Sequence, residues 1–155
     1  MWIYKEKIIK DINDFPEGCF GFVYVLTNLE NNKKYIGKKN LYSKQNKKLG
    51  KKELENIKEE RKKNKTRGKL PTKKLVVKES SWKNYRGTNS NKQLDELHKL
   101  PEDKIKKEII SFAFNSKQLT YRETQNQFEN KVLENPELYY NANILGKFFI
   151  KDVMV

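Results

Sequence analysis

The clearest pattern in the sequence is a pair of apolar runs, rich in β-branched and aromatic residues, near its beginning. One run covers residues 20–27, the turn-forming Asn28, Asn31 and Asn32 follow it, and the apolar pattern resumes over residues 34–38. Two such runs joined by a short polar turn predict a β-hairpin.

Two later segments complete the predicted fold. Residues 105–114 alternate imperfectly and predict a third strand, and residues 120–133 predict a helix with one apolar side. Together with the hairpin they predict an α+β fold, a small three-stranded antiparallel sheet flanked by helices, in a single domain over residues 1–155.

The middle of the chain is far more polar. Residues 51–65 hold only two apolar positions and predict at best an exposed helix, and residues 67–71 predict a basic loop. Residues 75–78 predict either a short edge strand or an extended lead into residues 80–87.

A further short helix is predicted downstream of this region. Ser90 and Gln93 form a capping-box pattern, which predicts a helix over residues 92–99 that Pro101 would end.

The amino-acid composition predicts the kind of core and the kind of binding partner. Only 35% of residues are hydrophobic, but aromatic residues make up 12%, so we expect a small, aromatic-rich core under a charged surface. The net charge is +14, and residues 38–78 alone hold 17 basic and 4 acidic residues. A basic insertion at about 40–78 therefore predicts a polyanionic partner, whose phosphate backbone it would grip without reading sequence.

The single cysteine, Cys19, excludes an internal disulfide and favours an intracellular, cytoplasmic setting. No apolar run is long enough for a membrane span, so we expect no membrane association. With one histidine, His98, the sequence also offers no zinc-site spacing, no Ser/His/Asp set and no phosphate-binding glycine loop. Tyrosine, carboxylate and lysine remain as the candidate chemistry.

Two tyrosines of the hairpin attract attention. Tyr24 and Tyr35 are eleven residues apart, which places both phenols on one face of a bulge-free hairpin whose loop has an even number of residues. Gly37 lies on the same face and would let a backbone or ligand approach closely. The alternative is that these tyrosines simply cover the sheet.

These residues resemble a known family. FVY over residues 22–24, ten intervening residues and YIGKK over 35–39 are similar to the signature hairpin of the GIY-YIG nucleases. The resemblance continues, as to the Seg-type homing endonucleases of T-even-like phages, through three further blocks: ESSWKNYRG over 79–87, LTYRE over 119–123, and YYN over 139–141 followed by NILGKF over 143–148.

The resemblance implies a metal-dependent phosphodiesterase using one Mg²⁺ or Mn²⁺ ion. By position it assigns Tyr24, Tyr35 and Asn141 to the surroundings of the scissile phosphate and Glu123 to the metal. One tyrosine would help to deprotonate the attacking water and the other would position the phosphate. A single glutamate is sufficient chemically, because Mg²⁺ is commonly held by one or two carboxylates together with waters and substrate phosphate oxygens.

The residues alone leave another role open for Glu123. Thr120 and Glu123 form a capping-box pattern, so the carboxylate could merely close the start of a helix. Glu129 is the rival metal ligand on the same predicted helix.

The sequence differs from the family at one position where a positively charged residue is usual. Members usually carry an arginine about ten residues beyond the second tyrosine, and Gln45 stands there. Lys38, Lys39 and Arg67 are the candidates to supply the missing positive charge, with Lys39 assigned to catalysis and the other two to DNA binding.

Three further residues are assigned to DNA binding, namely Gly37, Trp82 and Arg86. For Trp82 and the nearby Tyr85, packing in the core or at a helix end is the alternative. The sequence thus predicts an endonuclease that cleaves double-stranded DNA as a monomer or weak dimer. The alternatives are a catalytically degenerate DNA- or RNA-binding module on the same fold and a basic ribosome-associated or host-interaction protein.

Overall fold

The computed structural model describes residues 1–88 and 90–154, in which strands and helices are interleaved along the chain. The strands are β1 Trp2–Tyr4, β2 Lys7–Ile9, β3 Gly21–Asn28, β4 Lys34–Asn40, β5 Tyr42–Lys48, β6 Lys73–Glu79, β7 Ile105–Ala113, β8 Asn143–Ile144 and β9 Phe148–Phe149. The α-helices are α1 Lys51–Lys63, α2 Asp95–Lys99, α3 Ser116–Glu129 and α4 Ile150–Val153. Two compact units result: Met1–Leu41 together with the chain from Ser80 onward, and Tyr42–Glu79.

The first unit is built on a five-stranded sheet in the order β2-β1-β7-β3-β4. The predicted hairpin and third strand are confirmed as β3, β4 and β7, and the α+β class with them. The sheet has five strands rather than three, and it is mixed because β1 runs parallel to β7. Strands of three residues are too short to show a period-2 pattern, which is why β1 and β2 escaped sequence analysis.

The two faces of this sheet carry different cores. The residues on one face form a largely aromatic cluster that includes Trp2, Phe22, Tyr24 and Trp82. The other face packs aliphatic residues, Val23 and Ile36 among them, against α3 and the segments that follow it. Consecutive residues of β3 alternate between the two cores, so the aromatic-rich core expected from composition lies on one side only.

Helix α3 begins earlier than the sequence predicted. Asn115 is its N-cap, and the Asn115 side chain accepts a hydrogen bond from the Gln118 backbone N–H at 2.8 Å. Thr120 therefore lies inside the helix and cannot cap it, and Glu123 lies near its middle. The capping-box interpretation of Glu123 is wrong. The end predicted at residue 133 is also wrong, because the helix stops at Glu129.

The short helix before β7 is confirmed with a different cap. Residues 92–94 form a 3-10 turn that continues into α2, and the chain leaves the helix before Pro101 as predicted. The Asn91 side chain accepts from the Gln93 backbone N–H at 3.2 Å, so Asn91 rather than Ser90 begins the element.

The second unit, Tyr42–Glu79, spans nearly the same residues as the basic insertion placed at about 40–78. Its helix α1 and strand β6 match the predicted exposed helix and edge strand. Strand β5, which pairs with β6 over its whole length, was not predicted. Its residues beyond Tyr42 are all polar, so it lacks the alternation that identifies a half-buried strand.

Across residues 1–88 and 90–154, none of the helices is long and apolar enough to cross a membrane.

Candidate active site

The hairpin brings the two signature tyrosines together. In the β3–β4 pairing Tyr24 lies opposite Gly37 and Leu26 lies opposite Tyr35, which places both phenols on the same face of the sheet. Their ring centroids are 6.3 Å apart. The sequence prediction that the two rings share a face is confirmed.

Gly37 is the residue that allows this approach. A Cβ atom built on Gly37 would stand 2.5 Å from the Tyr24 hydroxyl oxygen and 2.8 Å from the Tyr35 Cε1 atom. The space above Gly37 is thus filled by the two phenols and is not open to DNA. The assignment of Gly37 to DNA binding is wrong, because its missing side chain makes room for the rings.

A third tyrosine joins the pair. The ring of Tyr85 packs edge-on against Tyr24 with centroids 6.0 Å apart, and the Tyr85 hydroxyl lies 3.2 Å from the Thr88 hydroxyl. The sequence left Tyr85 between packing and contact with nucleic acid, and did not place it beside the two signature tyrosines. The available signal was its place in the second matched block, between Trp82 and Gly87.

Glu123 presents a carboxylate from the middle of α3. Its side chain is only 15% exposed, and its nearest cation is the Lys38 ammonium at 4.0 Å. That ammonium also donates a hydrogen bond to the Thr120 hydroxyl at 2.7 Å. Burial raises the pKa of Glu123, and the charge of Lys38 offsets this only in part. The carboxylate is therefore short of positive charge.

The environment of the phenols keeps them neutral. Burial, reinforced by the negative charge of Glu123 and by Tyr85, raises the pKa of Tyr35 to about 12. The pKa of Tyr24, which is 1% exposed, is raised well above its ordinary value, first by burial and then by its tyrosine neighbours and Glu123. Glu123 thus lies close enough for its charge to act on both phenols.

The donor set fits one hard divalent cation. Over the part of the chain that the structure describes, no three or more His, Cys, Asp or Glu side chains cluster to form a metal cage. Glu123 alone is a suitable anchor, since Mg²⁺ usually keeps several waters and takes few protein ligands. An added positive charge here would also offset the desolvation of the buried carboxylate.

Glu129, the rival ligand, lies at the last position of α3 and is exposed. It follows Glu123 by six positions, which turns it to a different side of the helix. Glu123 is therefore the carboxylate that accompanies the tyrosines.

Lys39 carries positive charge beside the tyrosines. It extends from the same face of β4 as Tyr35, and its ammonium lies 4.1 Å from the centroid of the Tyr85 ring. Burial lowers the pKa of Lys39. Lys39 and Tyr85 line a cleft of about 760 Å³ that His98 borders on another side.

Two residues assigned to DNA binding have structural roles. The side chain of Trp82 is fully buried, and its ring packs edge-on against Phe15 at 4.9 Å. The Arg86 guanidinium donates to the carbonyl oxygens of Leu97 and Leu100 and pairs with Glu102. The Trp82 assignment is wrong because the ring is inaccessible, whereas Arg86 lines the same cleft as Lys39 and its DNA contact stays a prediction.

The Asn141 side chain is hydrogen-bonded to the backbone of β4. The side chain is buried, its amide oxygen accepts from the Ile36 N–H at 3.0 Å, and its amide nitrogen donates to the Ile36 carbonyl at 2.8 Å. These bonds satisfy the backbone of β4 on the edge that no other strand covers. Asn141 therefore positions the strand that carries Tyr35 and Gly37, and its contact with the phosphate stays a prediction.

This role predicts a loss of stability on substitution. We expect Asn141→Leu to lower the free energy of unfolding by about 2 kcal/mol, because the buried Ile36 N–H would lose its partner. Urea unfolding measures the change, with Asn13→Leu, at an exposed position, as the control. Equal stability of the two variants would contradict the role.

The fold and the site together are typical of one class of protein. The two tyrosines of the antiparallel hairpin pack over a glycine, and the charge of a helix-borne glutamate acts on both phenols. This is the arrangement that the GIY-YIG resemblance implied.

Comparison with known families agrees. The family model described as "Putative endonuclease segE, GIY-YIG domain" matches residues 2–144. The chain belongs to the GIY-YIG endonuclease family, in the group that this segE model represents. No curated protein and no solved structure matches the chain. Family membership supports a DNA endonuclease.

Proposed function

We propose that the protein is a metal-dependent endonuclease that hydrolyses phosphodiester bonds in double-stranded DNA with one Mg²⁺ or Mn²⁺ ion. The observation that carries the proposal is the half-buried Glu123 carboxylate, which is incompletely neutralised by Lys38 and raises the pKa of Tyr35. Because ionising a buried carboxylate is unfavourable, a position that retains one is a candidate for function.

Glu123 is the residue that would hold the ion, and the substrate phosphate and waters would complete its ligands. When bound, such an ion stabilises negative charge on the phosphate and on the leaving oxygen. The half-exposed Lys38 lowers the pKa of the carboxylate and so partly offsets the effect of its burial.

Tyr35 orients the phosphate. Its hydroxyl is neutral at physiological pH because its pKa is about 12, so it donates a hydrogen bond to a phosphate oxygen. Tyr24 is almost fully buried and supports the Tyr35 ring from below, and Gly37 sets the spacing between the two rings.

Lys39 supplies the positive charge that an arginine supplies in other family members. Lys38 is held by Glu123 and Thr120, whereas the Lys39 ammonium has only the Tyr85 ring as a partner among the contacts of the described residues. A lysine provides the charge without the bidentate geometry of a guanidinium. Arg67, in the second unit, stays a predicted backbone contact.

The test of this function is nicking of supercoiled plasmid by the purified chain. Nicking in Mg²⁺ or Mn²⁺ that stops on chelation with EDTA is the expected result. A single dominant cut in sequenced genomic fragments would support a homing role, whereas dispersed cuts would contradict it.

Tyr35→Phe should lower the nicking rate about 100-fold while leaving the fold intact, because only the phosphate-directed hydroxyl is lost. The slope of the rate against pH should be unchanged, since a neutral donor does not titrate in the working range. Loss of the slope would instead identify the hydroxyl as the proton acceptor. Wild-type rates in Tyr35→Phe would contradict any role for the hydroxyl, and Tyr121→Phe, at a tyrosine of the first unit that is 70% exposed, is the control.

A binding module without turnover is the second candidate. The observation that favours it is Gln45, which stands at the arginine position and lies in β5 rather than on a helix. Gel retardation of duplex DNA with no nicking in any divalent metal would support this candidate and contradict the endonuclease.

A further inference from the structure

The second unit exposes one face of a two-stranded ribbon. In the β5–β6 pairing Lys44 lies opposite Val77, Asn46 opposite Leu75, and Lys48 opposite Lys73. Directly opposite residues project to the same side, so these six lie on one surface, called here the ribbon face, and the Tyr42–Glu79 pair borders it at one end of the ribbon. All six are exposed.

Its apolar members are unusually open to solvent. Leu75 is 60% exposed and Val77 is 55% exposed. They are separated along β6 by Val76, which points to the other side and is half-buried. The ribbon face thus presents two aliphatic side chains and one amide between three lysines.

Helix α1 lies toward the opposite face of the ribbon. Glu53 of α1 forms an ion pair with Lys74, and Lys74 shares its face with Val76 and Lys47 rather than with Leu75. Leu54 and Ile57 of α1 are likewise half-buried. The Glu53–Lys74 ion pair thus lies on the opposite face of the ribbon, and the six residues of the ribbon face stay exposed.

The charge of the second unit indicates which kind of partner covers the ribbon face. Residues 42–79 hold 15 basic and 5 acidic residues, and none of the three lysines of the ribbon face has an acidic partner among the salt bridges of the described residues. A concentration of cations around a small apolar centre is suited to a polyanion that also offers apolar groups. The DNA major groove does so, because thymine methyl groups line it between two rows of phosphates, and it is wide enough for a two-stranded ribbon.

We propose that the ribbon face enters the major groove of duplex DNA. Leu75 and Val77 contact thymine methyl groups, Asn46 bonds to a base edge, and Lys44, Lys48 and Lys73 contact the flanking phosphates. The proposal rests on the proposed function only in taking DNA as the substrate, and it requires no cleavage. It assigns base recognition to a segment expected from sequence to grip the backbone alone.

The experiment measures binding in EDTA, so that cleavage plays no part. Gel retardation would compare two pools of random-sequence 30-base-pair duplexes, one made with thymine and one with uracil, which lacks the methyl group. We expect the wild-type chain to bind the thymine pool roughly fivefold more tightly. Leu75→Ser/Val77→Ser should bind both pools equally and more weakly.

A matched control removes the same kind of side chain elsewhere. Leu29→Ser/Leu138→Ser replaces two aliphatic residues of the first unit that are 47% and 53% exposed, and it should keep the wild-type preference for thymine. Asn46→Ala, a smaller change on the ribbon face, should weaken binding of both pools while circular dichroism stays unchanged. It guards against misfolding of the double variant.

Two results would overturn the proposal. One is an equal affinity of the wild-type chain for the two pools. The other is equally tight binding of double-stranded RNA, whose major groove is too narrow for side chains to read. Nicking of plasmid tests the endonuclease separately, so either proposal can fail while the other stands.

Discussion

Glu123→Gln should abolish nicking of supercoiled DNA while leaving the protein as stable as the wild type or more stable. We expect the rate to fall by at least about 100-fold, because loss of residues that merely support a metal ligand already costs 10- to 100-fold. The measurement is the initial rate of nicking in saturating Mg²⁺.

The expected gain in stability of Glu123→Gln follows from the pKa of Glu123. Burial raises this pKa above its ordinary value of 4.5, so the folded state binds the proton more tightly than the unfolded chain does. The stability contributed by this group is full below pH 4.5 and is lost as pH rises through the folded pKa. At neutral pH the ionised carboxylate therefore destabilises the fold, and glutamine removes that effect.

Urea unfolding at two pH values measures this linkage. Glu123→Gln should gain up to about 1 kcal/mol relative to wild type at pH 7, and the gain should shrink near pH 4, where the carboxyl is protonated in both states. A variant less stable than wild type at pH 7 would indicate that Glu123 serves the fold.

Glu129→Gln is the matched control for the same experiments. It makes the same chemical change on the same helix at an exposed position. Nicking should continue at the wild-type rate. If both variants lost activity equally, the charge of α3 as a whole would be responsible and the assignment of Glu123 would be contradicted.

The sequence predicted the central fold because its signals there are local. The hairpin, β7 and the shared face of Tyr24 and Tyr35 follow from alternation and spacing within a few residues. Strands β1 and β5 escaped because the first is only three residues long and the second is polar throughout. Both depend on partners distant in sequence.

The predictions for the site show the same difference between local signals and distant partners. Residue types identified Tyr35 and Glu123 with the help of the family resemblance, but the roles of Asn141, Trp82 and Arg86 depend on partners that spacing does not reveal. Asn141 bonds to Ile36, which is 105 residues away, and Arg86 bonds to the end of a helix that it precedes. The sequence therefore could not reveal the part that these side chains play in the fold.

Gly37→Ala should damage both the fold and the activity. The φ angle of Gly37 is not positive, so the backbone would accept alanine, and the obstacle is steric: the new methyl would meet Tyr24 at 2.5 Å and Tyr35 at 2.8 Å. Overpacking of this kind costs about 1–3 kcal/mol of unfolding free energy. Because the rings must separate, and misplacement of reacting groups by about 1 Å can cost 100-fold, we expect nicking to fall by about two orders of magnitude.

Two comparisons separate this clash from a general effect of replacing glycine. Gly50→Ala has nothing within 4 Å of the new methyl, so it should keep its activity and lose only the small preference of the α1 N-cap for glycine over alanine. Tyr24→Phe removes the oxygen that the methyl would meet first, so Gly37→Ala/Tyr24→Phe should lose less stability than the sum of the two single variants. Additive losses, or full activity in Gly37→Ala, would show that Tyr24 and Tyr35 are not held in register by the glycine between them.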